Sequence, residues 1–225
     1  MPLPLLVPVT SLLIAVIFGT VIVIKWDTLL IMLKGKRLAV LGARGVGKTH
    51  LVKFLTTGSL PDTYKQTLGT EKVSGNRFPL KDLDLTLKET FDVAGGDDAY
   101  SEWAALVKQA DVVFYLLRAD RVIAGDSTIE ARIKRDMPQI KRWLKNQNPC
   151  PRFFIIGTHC DLDHEYTITP DDKRGDYQDK FRVLLDQKQL ADQCDKVFLG
   201  SLKTIHDTEN LVFRIFYDIQ KNKLT

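Results

Sequence analysis

Gly42-Ala43-Arg44-Gly45-Val46-Gly47-Lys48-Thr49 is the segment whose residue types most directly imply chemistry. Its spacing, G-x-x-x-x-G-K-[ST], suits a polyphosphate, because glycines let the backbone curl until successive N–H groups converge on oxygen anions. Lys48 adds a point charge for the β- and γ-phosphates, and Thr49 adds a hydroxyl for a Mg²⁺ ion that neutralises the same oxygens. His50 follows directly and is taken as part of the same nucleotide-contacting loop. Further along, Asp92-Val93-Ala94-Gly95 offers a carboxylate to the metal and a glycine N–H to the γ-phosphate. Thr158-His159-Cys160-Asp161 and Ser201-Leu202-Lys203 each follow a short apolar run.

These segments need strand ends to hold them. After Lys36 the sequence alternates short runs rich in Val, Ile, Leu and Phe with longer amphipathic stretches, the pattern of an α/β domain with a mostly parallel six-stranded sheet and helices on both faces. Strands are expected at Arg37–Leu41, Lys72–Phe78, Leu83–Phe91, Asp111–Leu117, Phe153–Gly157 and Lys196–Leu199. The pieces at 72–78 and 83–91 read as an antiparallel hairpin, since their polar and apolar residues alternate. Helices are expected at Gly47–Thr56, Ala99–Lys108, Thr128–Asn146, Asp179–Ala191 and Asp207–Asn222, with Asp171–Asp176 a polar loop. Each chemistry-bearing segment then falls at the carboxyl end of a strand, where open α/β sheets bind ligands.

The order of these motifs resembles that of the Ras-like small GTPases: a phosphate loop, a switch threonine, D-x-x-G, [NT]-K-x-D and S-A-K. The resemblance covers residues 37–222 and implies GTP/GDP and Mg²⁺ as ligands. Carried over by position, Thr67 is the first-switch threonine that closes on Mg²⁺, in preference to Thr70. Asp92 stands at the second metal position, so the implied metal set is Thr49, Thr67 and Asp92. Gly95 meets the γ-phosphate, and Lys48, Thr67 and Gly95 carry the catalytic roles. Asp161 accepts from guanine N1 and its amino group, a donor pair that adenine lacks, which favours GTP over ATP. Thr158 and His159 flank the base, and Ser201, Leu202 and Lys203 form the loop that touches the guanine oxygen.

The chain departs from that pattern in three places. His159 replaces a lysine whose stem packs along the base, which implies lower affinity. Gly96 stands where catalytic members carry the glutamine that orients the attacking water, so hydrolysis is expected to be slow. Asp97 and Asp98 beside it read as solvated loop acids. Arg44 stands where Ras has a small glycine, and is expected to face solvent rather than act as an arginine finger.

The first two dozen residues differ from the rest. From Leu3 to Ile24 there is no charge, a length that spans a bilayer as one helix, and Lys25, Lys34, Lys36 and Arg37 follow it. The expectation is residues 1–35 as an N-terminal transmembrane anchor and juxtamembrane segment, with residues 36–225 as a nucleotide-binding domain. The N-terminus would lie outside and the domain in the cytoplasm. Trp26 suits the headgroup zone. With 32 basic and 28 acidic residues the net charge is +4, spread along the chain, so nucleic acid is not expected as a partner. Cys150, Cys160 and Cys194 have neither disulfide-framework nor zinc spacing. The charge-rich stretch Arg132–Arg142 reads as the solvated side of a long helix, with a partner or anionic lipid as the other reading.

The expected function is a slow, membrane-anchored GTP switch whose loops are read by a cytosolic protein partner. The alternative is a nucleotide-bound assembly subunit whose GTP is structural; an ATPase is disfavoured by Asp161. Anchor plus Ras-like domain is similar in layout to the beta subunit of the signal recognition particle receptor.

Overall fold

The computed structural model describes residues 12–17, 20–25, 36–60, 98–170, 173–190 and 194–221. Strands β1 (Leu12–Ile17) and β2 (Thr20–Lys25) form an antiparallel pair in which Leu12 faces Lys25 and Ile17 faces Thr20. This corrects the single helix expected over the uncharged run. The run's apolarity says only that it avoids water. Ile14, Val16, Ile17, Thr20, Val21, Ile22, Val23 and Ile24 are β-branched, and such side chains lose less freedom in a strand than against a helical turn. Among the described residues no helix is long and apolar enough to cross a membrane.

The main sheet holds β3 (Leu38–Gly42), β4 (Val112–Arg118), β5 (Arg152–Thr158) and β6 (Lys196–Leu199), all parallel and in the order β3-β4-β5-β6. Four strands of the six expected are therefore described. The hairpin expected at 72–91 lies outside the described residues.

The strands are buried on both faces because alternate residues serve two cores. Val40, Phe114, Ile156 and Phe198 pack against α1 (Lys48–Thr57), through Leu51 and Leu55, and against α7 (Ile205–Lys221), through Leu211 and Ile215. Leu41, Tyr115, Ile155 and Val197 face the other way. There they meet Trp103 of α2 (Asp98–Gln109), Ile133 and Ile140 of α4 (Ser127–Lys145), and Phe181 of α6 (Arg174–Gln187). Each such side chain contributes about 1.5–3 kcal/mol by leaving water. Helices on both faces of a parallel sheet are as expected.

On the second face a buried carboxylate organises the packing. Asp136 of α4 is fully buried. It accepts from Tyr100 Oη at 2.7 Å, Tyr115 Oη at 2.9 Å and Arg132 Nε at 2.9 Å. The Arg132 guanidinium also lies 5.8 Å from the centroid of the Trp103 ring. The start of α2, directly after the D-x-x-G segment in sequence, is thereby tied to α4 and the sheet.

Two short helices were not foreseen, α3 (Ala119–Ile123) and α5 (His164–Ile168), nor the 3-10 turn Cys160–Leu162. Helix α6 also starts earlier than expected: Arg174–Asp176, read as loop, form its first turn. Tyr177 explains the shift, because its ring packs edge-on against Tyr166 at 5.2 Å while Arg174 lies over that same ring at 4.8 Å. The polar residues occupy the outer side of a turn that the tyrosine pins. Helix α6 stops at Gln187 rather than Ala191, and Gln189 takes a left-handed φ of 56°.

Candidate functional site

The phosphate loop runs from the end of β3 into α1. Gly42 has φ 136°, and a Cβ there would sit 2.4 Å from the backbone oxygen of Leu116. Gly47 has φ 90° and caps α1, and a Cβ there would sit 2.7 Å from Leu202 Cδ1. Only glycine takes both conformations and both contacts without strain. Lys48 is 7% exposed, and its Nζ donates to the carbonyls of Gly42 at 2.8 Å and Ala43 at 2.7 Å. These bonds hold the ammonium across the mouth of its own loop. A buried ammonium costs several kcal/mol unless dipoles and an anion compensate it, and a polyphosphate supplies that anion. Arg44 is exposed, as expected, and Ala43, Thr49 and His50 are partly buried, while Val46 is buried.

Thr158, at the end of β5, is fully buried and lies in register beside Arg118 of β4. Its Oγ1 is 2.9 Å from the Val46 carbonyl and 3.1 Å from the Leu117 carbonyl. The same oxygen is 2.9 Å from His159 Nδ1. A hydroxyl has one proton to give and both carbonyls only accept, so the ring nitrogen is best satisfied as the donor, which selects the Nδ1–H tautomer. Thr158 thus clamps the phosphate loop to the base side of the sheet.

His159 takes a left-handed backbone with φ 61°, which His tolerates better than most residues. Its pKa is lowered from the ordinary value. Burial is the main cause, with Arg118 and His50 adding repulsion and Asp120 and Asp161 opposing. At neutral pH the ring is therefore uncharged, a flat surface where the family pattern has a cation.

The two base-side loops are joined to each other. Ser201 Oγ donates to Asp161 Oδ1 at 2.8 Å and accepts from the Lys203 backbone N–H at 3.0 Å. Lys203 Nζ lies 3.7 Å from Asp161 Oδ2. The Cys160 N–H donates to the Gly200 carbonyl at 3.3 Å. Asp161 is held as an oriented acceptor for paired N–H donors, and Leu202 connects this end of the site to Gly47.

The structure therefore brings together Gly42 through His50, Thr158, His159, Asp161 and Ser201 through Lys203. Thr67, Asp92 and Gly95, with Gly96, lie outside the described residues, so of the expected metal set only Thr49 is described. Among the described residues no cluster of His, Cys, Asp or Glu is placed to hold a metal ion. A Mg²⁺ of the expected kind would use the Thr49 hydroxyl with phosphate oxygens and water, for which it needs few protein carboxylates.

Sequence reasoning missed Arg118 and Asp120. Arg118 Nε donates to Asp120 Oδ1 at 2.8 Å, beside Thr158 and His159. The available signal was a charge ending the otherwise apolar strand VVFYLLR.

The model of the Ras family matches residues 37–206. Among solved structures the fold is similar to that of an ADP-ribosylation factor-like GTP-binding protein, the small COPII coat GTPase SAR1 from Encephalitozoon cuniculi in complex with GDP. That match has a TM-score of 0.54 and 17% identity and covers 88% of each chain, a likeness of fold. No curated protein matches. The family match spans most of the chain and every motif from the phosphate loop to Ser201, and the chain belongs to the Ras family of small GTPases.

Proposed function

We propose that this small GTPase is a slow switch held at a membrane by residues 1–35, with residues 36–225 as its nucleotide-binding domain in the cytoplasm and its switch loops read by a protein partner. The observation that carries the nucleotide assignment is the joining of three loops: the Lys48 loop is bonded to Thr158, which leads into the Asp161 loop, and that loop is bonded to the Ser201 loop. Phosphate chemistry and guanine recognition then share one rigid ledge at the carboxyl end of the sheet. In this reading Gly42 through His50 wrap the phosphates, His159 lies along the base and Asp161 accepts its N–H donors. Thr49, Thr67 and Asp92 hold Mg²⁺, which supplies charge neutralisation at the β- and γ-phosphates. Gly96 offers no side chain to orient water, and slow turnover follows from that.

The uncharged run 3–24, followed by Lys25, Lys34, Lys36 and Arg37, supports attachment to a membrane. An anchor joined to a GTPase domain would be similar in layout to the signal recognition particle receptor beta subunit, and it fits recruitment of a soluble partner. Gly96 also favours the second reading, an assembly subunit whose GTP is structural.

Single-turnover hydrolysis of GTP preloaded on the full chain, with Lys48→Ala as the binding control, separates the two. Slow conversion to GDP and phosphate that the control abolishes supports the switch. GTP held unhydrolysed, with no exchange for GDP, supports the assembly subunit.

A further inference from the structure

The outer face of α4 carries a charge pattern that the nucleotide site does not use. Lys134, Arg135, Arg142 and Lys145 are exposed on it and Lys141 is half-buried, and at 100° per residue the five fall within an arc of about 120°. The buried residues Ile133, Met137, Ile140 and Leu144 occupy the opposite arc. Of the helix's two acids, Glu130 pairs with Lys188, and Asp136 lies beneath Arg132 in the core. Pro138 sits exposed within the stripe and has no N–H to give the Lys134 carbonyl one turn back.

Topology says where this face points. Helix α4 runs back from the carboxyl end of β4 to the amino end of β5, so its last turn lies at the amino edge of the sheet. There the Arg37 backbone N–H donates to Asp111 at 2.8 Å and the Arg152 N–H donates to the Asp111 carbonyl at 3.1 Å. Arg37 is also where the chain enters the domain from the apolar run. The chain's entry at Arg37 and the last turn of α4 therefore lie at one end of the domain, opposite the nucleotide ledge.

We infer that the face of α4 formed by Lys134, Arg135, Lys141, Arg142 and Lys145 docks on an anionic lipid surface and sets the orientation of the tethered domain. The inference rests on the membrane reading for its geometry. From Lys25 to Lys36 the chain can reach no farther than roughly 40 Å at about 3.5 Å per residue, so the amino edge of the sheet is the part held near the headgroups. Each Lys or Arg brought to an anionic leaflet multiplies the preference for docking roughly fivefold, and the attraction fades within a Debye length. The nucleotide ledge, at the other end of the sheet, would then stay open to a soluble partner.

Cys150 provides the probe, because it is exposed and lies just beyond Lys145, whereas Cys160 is buried. Full-length protein carrying Cys194→Ser and a dye on Cys150 would be mixed with vesicles whose headgroups bear a nitroxide quencher. Flotation with neutral phosphatidylcholine vesicles tests the apolar run by itself. Quenching is expected to rise at least about twofold when about 30 mol% phosphatidylserine is added, and to return to the neutral level near 1 M salt, where the Debye length is about 3 Å. Lys141→Glu, Arg142→Glu and Lys145→Glu together should remove the rise, since loss of the three positive charges alone lowers the docking preference roughly a hundredfold, while GDP binding is unchanged. The milder triple change to Gln serves if charge reversal impairs folding. Equal quenching in neutral and anionic vesicles, or a rise that survives both sets of changes, overturns the inference. If the chain does not float with neutral vesicles, the apolar-run reading fails. The α4 face is then judged by sedimentation with anionic vesicles at low salt: binding lost in the triple variant supports it, and no binding overturns it.

Discussion

Replacing Gly47 by Ala tests whether the phosphate loop and the base loop are one mechanical unit. The new Cβ would meet two costs. A left-handed conformation, φ 90° here, costs a non-glycine residue about 1–2 kcal/mol. The Cβ would also stand 2.7 Å from Cδ1 of Leu202, which is 7% exposed and packed, and forcing extra volume into such a place costs about 1–3 kcal/mol. The sum is about 2–5 kcal/mol. Gly45→Ala is the internal control, because Gly45 has φ 75° yet nothing lies within 4 Å of its missing Cβ. It should cost only the backbone share, about 1–2 kcal/mol. Leu202→Ala removes the obstructing methyl groups and leaves a cavity of its own, so the double variant with Gly47→Ala should be less unstable than the two single costs summed, by about 1–3 kcal/mol. Urea unfolding of the four variants and the unaltered chain in detergent gives these differences, and fluorescent GDP titration should show Gly47→Ala weaker than Gly45→Ala. Equal costs for Gly45→Ala and Gly47→Ala, or strict additivity with Leu202→Ala, would refute the coupling.

Three further outcomes follow from the same geometry. Asp136→Asn removes the charge that receives Tyr100, Tyr115 and Arg132 in the core, and should lower unfolding stability by about 3–5 kcal/mol, with Tyr100→Phe closer to 1 kcal/mol. Asp161→Ala should weaken GDP binding by about 10- to 100-fold and erase most discrimination against ADP; Ser201→Ala, which frees the Asp161 carboxylate to rotate, should give a smaller loss, both read by competition binding. His159 should titrate below its ordinary value when followed by NMR. Since its folded pKa is depressed, the unfolded chain binds more protons at intermediate pH. Stability contributed here should therefore fall as pH drops below about 6.5 and level off below the folded pKa, and His159→Gln should flatten that slope.

Much of this was legible before any coordinates. The apolar runs ending at Leu41, Leu117, Gly157 and Leu199 give strands whose ends must lie side by side in a parallel sheet, and that alone gathers Lys48, Thr158, Asp161 and Ser201. Three kinds of feature were not legible. Residues 12–25 satisfy apolarity in helix or strand alike, and which one forms depends on β-branching and partner edges rather than on hydropathy. Helices α3 and α5 are too short to show a period, and the start of α6 depends on Tyr177 finding Tyr166, a contact between separate elements. The same is true within the site: the Thr158 clamp, the Leu202–Gly47 contact and the placement of the local Arg118–Asp120 pair beside His159 bring together residues far apart in sequence, so no local pattern announces them.

The central claim is a guanine-nucleotide site built on the Lys48 and Asp161 loops, and equilibrium binding of fluorescent GDP to the full chain, competed by unlabelled GDP, GTP, ADP and ATP, tests it most directly. The account expects saturable GDP binding that Lys48→Ala abolishes, displacement by GDP and GTP, and at least about a hundredfold weaker displacement by ADP and ATP. Displacement by ATP as effective as by GTP, or binding indifferent to Lys48, would contradict it.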